Sequence, residues 1–313
     1  MHFERGKNLR FIKPLMITNY FLCLSPKFNF DTGNLSNCIY QKIIAVSLML
    51  LYSTNGFFLV REIVNDKKTH TKTIAHILTV LNCIILTTIN VQYMSYTNIF
   101  KRATLEKILH KLVKVDDVLR RHEFPKDNGK SRKQLVGVLI LLAITFTLMV
   151  TTGTNHAKMC QKYVGAKGCI LLGIENFERI NSVFMSLEIG YMVYICKKIF
   201  LRLYNALRDK NSKWVESTLN KRDLQKRFES DIKELVYIYD QLSDATHLIN
   251  EVFGTTLLLL LVHTVGSLFH SIDMVLMSYR TVGLQIREHN SLLRLTHITR
   301  CVIIGVRTFK ILP

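Results

Sequence analysis

The chain has 313 residues, 49% of them hydrophobic, yet a mean hydropathy of only +0.18. Its net charge is +19, from 42 Lys+Arg against 23 Asp+Glu. That excess lies in blocks between apolar stretches instead of on one soluble face, which argues against nucleic-acid binding and marks the positive blocks as cytoplasmic.

Residues 1–37 are basic and mixed and read as a cytoplasmic tail without clear periodicity. The first 14 carry Glu4, Arg5, Lys7, Arg10, Lys13 and Pro14 with no apolar core behind them, so no cleavable signal is expected. The Asn34-Leu35-Ser36 sequon would be unused there. A first span is predicted over about 43–60, where 18 uncharged residues lie between Lys42 and Arg61. Thr73–Phe100 is uncharged for 28 residues, giving a second span over 73–97. In the charged segment Lys101–Lys133, Leu105, Ile108, Leu109, Leu112, Val115 and Leu119 form a helical apolar stripe, and Pro125 and Gly129 end it.

A third span is expected at about 134–154, followed by a loop reaching Arg179. A fourth, at about 180–200, carries one acid, Glu188. In the next charged stretch Phe228, Ile232, Leu235, Val236, Tyr239, Leu242 and Ile249 recur at helical spacing. They lead without a proline into Val252–Ile272, 21 residues free of formal charge and roughly 31 Å long as a helix. One long helix, wet at its start and lipid-embedded at its end, is the expected object, with the fifth span at 252–279. At 295–313 an incomplete sixth span is read, and no seventh follows.

The three segments that alternate onto the side of the N-terminus hold 5, 11 and 11 Lys+Arg, 27 together, against 11 in the opposite segments. The fold class expected is therefore all-α: a multi-pass transmembrane helical bundle with long cytoplasmic helical extensions and a cytoplasmic N-terminus. That orientation is opposite to a G-protein-coupled receptor's.

Residues 235–280 read LVYIYDQLSDATHLINEVFGTTLLLLLVHTVGSLFHSIDMVLMSYR. With the orientation and the two basic helical loops, this stretch resembles insect gustatory receptors, the seven-span chemoreceptors. The likeness runs from about Asn34 to Met277 and is most distinctive over 246–262, around Asn250-Glu251-Val252-Phe253-Gly254. It implies a plasma-membrane, ligand-gated, non-selective cation channel, assembled as a homo- or heterotetramer and opened by a small-molecule tastant bound in the outer half of the bundle. The family's Thr-Tyr-x5-Gln-Phe signature of the seventh span is missing, so the sequence reads as a truncated receptor. An odorant-receptor-type channel subunit is the nearest alternative, and a multi-pass transporter or membrane enzyme comes from a different class.

Candidate ligand-binding residues follow from polarity at membrane depth. His263, Ser267, His270 and Met274 share a helix face, with Asp273 beside it. Glu188 and Tyr191 share another and are expected to line the same cavity as His270; the competing roles are interhelical hydrogen bonding that merely holds the bundle for the histidines, and a carboxyl paired with Lys or His of a neighbouring helix for Glu188. Asn90, Gln92 and Tyr93 read as helix–helix contacts. No metal or other cofactor is called for. His263 and His270 stand about 10 Å apart along one helix with no acid or cysteine cluster around them. Seven cysteines include no CxxC pair, although Cys160 and Cys169 share one loop and can pair if it is extracellular. Gly-x-Ser-x-Gly, His-Glu-x-x-His and Gly-rich phosphate loops are all absent, so no enzyme is expected.

Overall fold

A computed structural model of the chain describes residues 13–29, 34–36, 38–65, 73–121, 165–216 and 221–281. Within these the fold is all-α apart from one small hairpin. The helices are α1 (Lys13–Phe21), α2 (Ile39–Asn65), α3 (Thr73–Ser95), α4 (Arg102–Arg121), α5 (Gly165–Glu216) and α6 (Lys221–Thr281). A π-helical turn, Tyr96–Phe100, joins α3 to α4. Strands β1 (Phe28–Asn29) and β2 (Asn34–Leu35) pair antiparallel, Phe28 opposite Leu35.

Three of these helices contain segments long and apolar enough to cross a membrane: Ile39–Val64, Ile77–Phe100 and Ile232–Phe269. The first runs about one turn beyond the expected 43–60 at each end, and the second lies about one turn later than the expected 73–97. The 61-residue α6 is the single long helix that the apolar periodicity of 228–279 predicts. The expected third span and the partial sixth lie outside the described residues.

Two expectations change. The stretch 165–179, expected to be loop, is the start of α5, because Ile170, Leu171, Ile174 and Phe177 continue the helical period into the apolar run that follows. Residues 13–21, in the segment without clear periodicity, form α1. Its Leu15, Met16 and Asn19 are buried, so tertiary packing holds a helix that nine residues alone would not sustain.

The chain divides into two compact units. The first is built from 1–39, 96–136 and 187–254, the second from 40–95, 137–186 and 255–313.

In the first unit, α4 buries Leu105, Ile108, Leu109, Leu112, Val115 and Leu119, the stripe seen in the sequence. Lys111 donates to Asp244 at 2.9 Å and to Gln241 at 3.1 Å, Lys101 pairs with Glu251, and the Lys114 ammonium lies 5.2 Å from the centre of the Tyr237 ring. Partners on α6 fall in number as those on α4 rise, so the two helices run antiparallel. The facing stripe of α6 is Leu235, Ile238, Leu242, Ala245, Ile249 and Val252. Val236 and Tyr239, expected on that stripe, are more than half exposed instead, because the buried row follows Ile238 at the three- and four-residue step.

The N-terminal segment fastens to the same unit. Helix α1 ends in a Schellman turn: Cys23 N–H donates to the Tyr20 carbonyl at 3.0 Å, Leu24 N–H to the Asn19 carbonyl at 2.9 Å, and Cys23 takes a φ of 55°. Beyond the turn, the Leu24 carbonyl accepts from Thr97 Oγ1 at 2.5 Å and the Cys23 carbonyl from Asn98 Nδ2 at 3.1 Å. Arg102 donates to the Leu35 carbonyl at 2.9 Å, and Leu35 N–H donates to Glu106 at 3.1 Å. The π-helical turn is thus clasped by the residues that follow α1. Its own signature is the bond from Lys101 N–H to the Tyr96 carbonyl, five residues back, at 2.8 Å.

In the second unit, Leu59, Cys83 and Leu171 bring α2, α3 and α5 into one apolar cluster with Phe58 and Val60. Gly56 lets α2 lie close on α3: a Cβ there would stand 2.7 Å from Thr87 Oγ1 and 3.1 Å from its Cγ2. Thr87 is β-branched on a helix and has little freedom to retreat. Gly56→Ala gains about 1 kcal/mol of helix propensity and loses about 1–3 kcal/mol to overpacking. A net lowering of the thermal midpoint of the purified protein is expected, and a rise would contradict the packing.

Candidate functional site: a buried polar cluster in the second unit

Helices α2, α3 and α5 pack their apolar residues together and enclose a group of polar ones among them. Glu178 on α5 is 1% exposed. Its Oε2 accepts from Thr87 Oγ1 of α3 at 3.2 Å, and Asn55 of α2 stands beside it. Glu178's own backbone carbonyl accepts from Asn90 Nδ2 at 3.2 Å, while the same amide donates to Leu86 at 2.9 Å. One turn on, Asn181 Nδ2 donates to the Tyr52 hydroxyl of α2 at 2.7 Å, and the Tyr52 ring lies 6.5 Å from that of Phe177. Tyr52, Asn55, Asn90 and Asn181 are all buried.

Arg179 hydrogen-bonds Glu175, one helical turn back, and acts on Glu178, its neighbour in sequence, only through space. Among the described residues, two acids and one guanidinium leave a surplus of one negative charge if all are ionised. A carboxyl at such depth is costly unless paired, neutral or facing water.

Beside the cluster, α2 and α3 form an open groove of about 500 Å³, lined by Ser53, Gly56, Phe57, Ile84, Thr87 and Thr88 among others. Phe57 is 65% exposed and Ile84 47%. Ser53 and Thr88 turn their hydroxyls back onto the Met49 and Ile84 carbonyls of their own helices, at 2.8 Å each. Among the described residues, Thr87 alone both lines the groove and bonds the buried carboxylate.

The sequence profile of the 7tm chemosensory receptors matches residues 9–308 of this chain. The chain belongs to the 7tm chemosensory receptor family. A search of curated proteins returns no match. Membership makes the protein a multi-pass, all-α membrane receptor of the insect gustatory type, which is what the stretch 235–280 suggested.

Within this chemosensory receptor the residues singled out from sequence fall into different places. Glu188 belongs to the first unit and is 2% exposed; its Oε2 accepts from Asn19 Nδ2 of α1. Tyr191 is in the same unit, edge-on to Tyr194 with ring centres 6.3 Å apart. His263 is in the second unit and buried. The side chains of His270 and Asp273 lie outside the described residues, and so do Cys160 and the Cys169 thiol. Asn90 is the helix–helix contact it was read as, bridging α3 to α5.

Glu178 was missed because the acids and arginine of 175–179 mark a solvent loop on first reading. The available signal was the i,i+4 pair Glu175–Arg179 within an unbroken apolar period. That pattern places Leu171 and Glu178, two turns apart, on one buried face.

Proposed function

We propose that the protein is a gustatory receptor subunit of the plasma membrane, N-terminus inside, which binds a small-molecule tastant and opens a non-selective cation conductance in a tetramer with itself or related subunits. Membership of the chemosensory receptor family across 9–308 is the observation that carries this reading. The enclosed polar cluster around Glu178, packed against two helices apolar enough to span a bilayer, supports it, since buried ionisable groups in such surroundings are candidates for ligand or ion contact. His263, in the same unit, is a second ligand-contact candidate, with His270 and Asp273 further along its helix. Glu188 and Tyr191 keep a candidacy of their own in the first unit.

The test is electrical. The full chain, expressed alone and with related subunits, is held under voltage clamp while a panel of sugars, amino acids, amines and terpenes is applied. A tastant-evoked current carried alike by sodium and potassium is the expected result. Absence of any evoked current from surface-expressed protein, in every combination, would overturn the channel reading.

A further inference from the structure

Resting on the receptor reading above, we propose that the buried Glu178 is the counter-charge for a lipophilic amine that enters through the groove between α2 and α3. Several independent observations converge on it.

The first is a carboxyl short of donors. Thr87 bonds Glu178 Oε2 and the Asn55 side chain stands beside the group, while Oε1 makes no hydrogen bond of ordinary geometry among the described residues, although it is enclosed. A fixed acceptor at depth, short of a donor, favours a ligand group that brings one. The second is charge: Arg179 hydrogen-bonds Glu175, so among the described residues no cation is bonded to Glu178 once that carboxyl ionises. Sugars and amides would supply donors but no charge; an ammonium supplies both.

The third is the route. Both groove walls belong to segments long and apolar enough to span a bilayer, and Phe57 and Ile84 are exposed at its rim. A molecule that reaches the groove from lipid must cross hydrocarbon without a net charge. An amine does so as its free base. A neutral carboxyl at Glu178 gives its proton from the carboxyl oxygen to the amine nitrogen, leaving an ammonium–carboxylate pair. No charge has been moved through lipid, and the pair forms where low dielectric makes it strong. An aromatic ring at the groove mouth, Phe57, suits an arylalkyl body.

Thr87 supplies the gate. A helical threonine has a second rotamer in which its hydroxyl bonds the carbonyl four residues back, here that of Cys83. Turning to it frees Glu178 Oε2 for the ammonium and leaves the threonine satisfied.

The experiment uses the full chain purified in phospholipid nanodiscs, with thermal denaturation as the readout, so it does not depend on any current. The probes are N,N-dimethylbenzylamine and its uncharged carbon analogue isobutylbenzene, nearly identical in shape. Stabilisation by the amine, with an apparent affinity at least about tenfold above the hydrocarbon's, is expected. Glu178→Gln should erase that preference while leaving any hydrocarbon binding in place. Thr87→Val, which lacks the gating hydroxyl but keeps the shape, should retain it. Equal binding of the two probes to the wild type, binding of neither, or an amine preference that survives in Glu178→Gln would each overturn the proposal. Because the wild-type comparison decides by itself, a variant that fails to fold does not rescue it. A receptor that passes the electrical test with neutral tastants and fails here would keep its function and lose this ligand class.

Discussion

Replacing Tyr52 with alanine is expected to cost about 3 kcal/mol or more, among the largest single losses in the second unit. The side chain is fully buried, packs beside Phe177 and accepts the amide of Asn181. Truncation removes the ring's contacts and leaves a void at the α2–α5 contact that nearby helices fill only in part. Tyr52→Phe separates the two contributions. It keeps the ring but takes away the acceptor of Asn181 Nδ2, whose partner atom Oδ1 already has none among the described residues. A loss of about 1–2 kcal/mol is expected there, above the average for interhelical hydrogen bonds because the orphaned amide finds no alternative. Thermal denaturation in detergent, followed by size exclusion, ranks the two. Equal losses would assign the whole effect to the hydroxyl, and no loss in either would contradict the packing of α2 on α5.

The second large effect is expected at the other unit. Glu188→Leu should release the N-terminal segment. It leaves the Asn19 side chain, wholly enclosed, without its carboxylate acceptor, at about 1–3 kcal/mol. Since α1 is too short to persist undocked, that cost is concentrated on one segment. Limited trypsin digestion should then cut at Lys13 or Lys27 far sooner than in the wild type. The double variant Asn19→Leu with Glu188→Leu replaces both polar partners by apolar groups and should regain much of the protection. Additive damage in the double variant would show that the two side chains do not act as a pair.

These two sites also show what a sequence discloses. The stripe Leu105–Leu119 on α4 and the amphipathic entry into α6 were legible because hydrophobic period alone determines them. Val236 and Tyr239 were misplaced, since either edge of a wide apolar stripe satisfies the period and only the partner helix selects one. Glu188 was recognised as an acid needing a partner; the partner could not be named, lying 169 residues away on a helix whose own pattern is weak. Glu178 was hidden differently. Its charged neighbours made the first turns of α5 look like a loop, and the pairing of Arg179 with Glu175 appears only once the turn is built.

The clasped π-helical turn has a consequence inside the first unit. An α-helix advances about 100° per residue, and a π turn takes in one residue more than an α turn. Thr97 and Asn98, seated on the Leu24 and Cys23 carbonyls, therefore fix the rotational phase at which α4 sets out. Loss of the extra residue would swing Leu105, Leu112 and Leu119 by roughly a quarter of a revolution, away from Leu242 and Ile249, without altering a single side chain. The N-terminal segment thereby works as a phasing pin for the seam between α4 and α6.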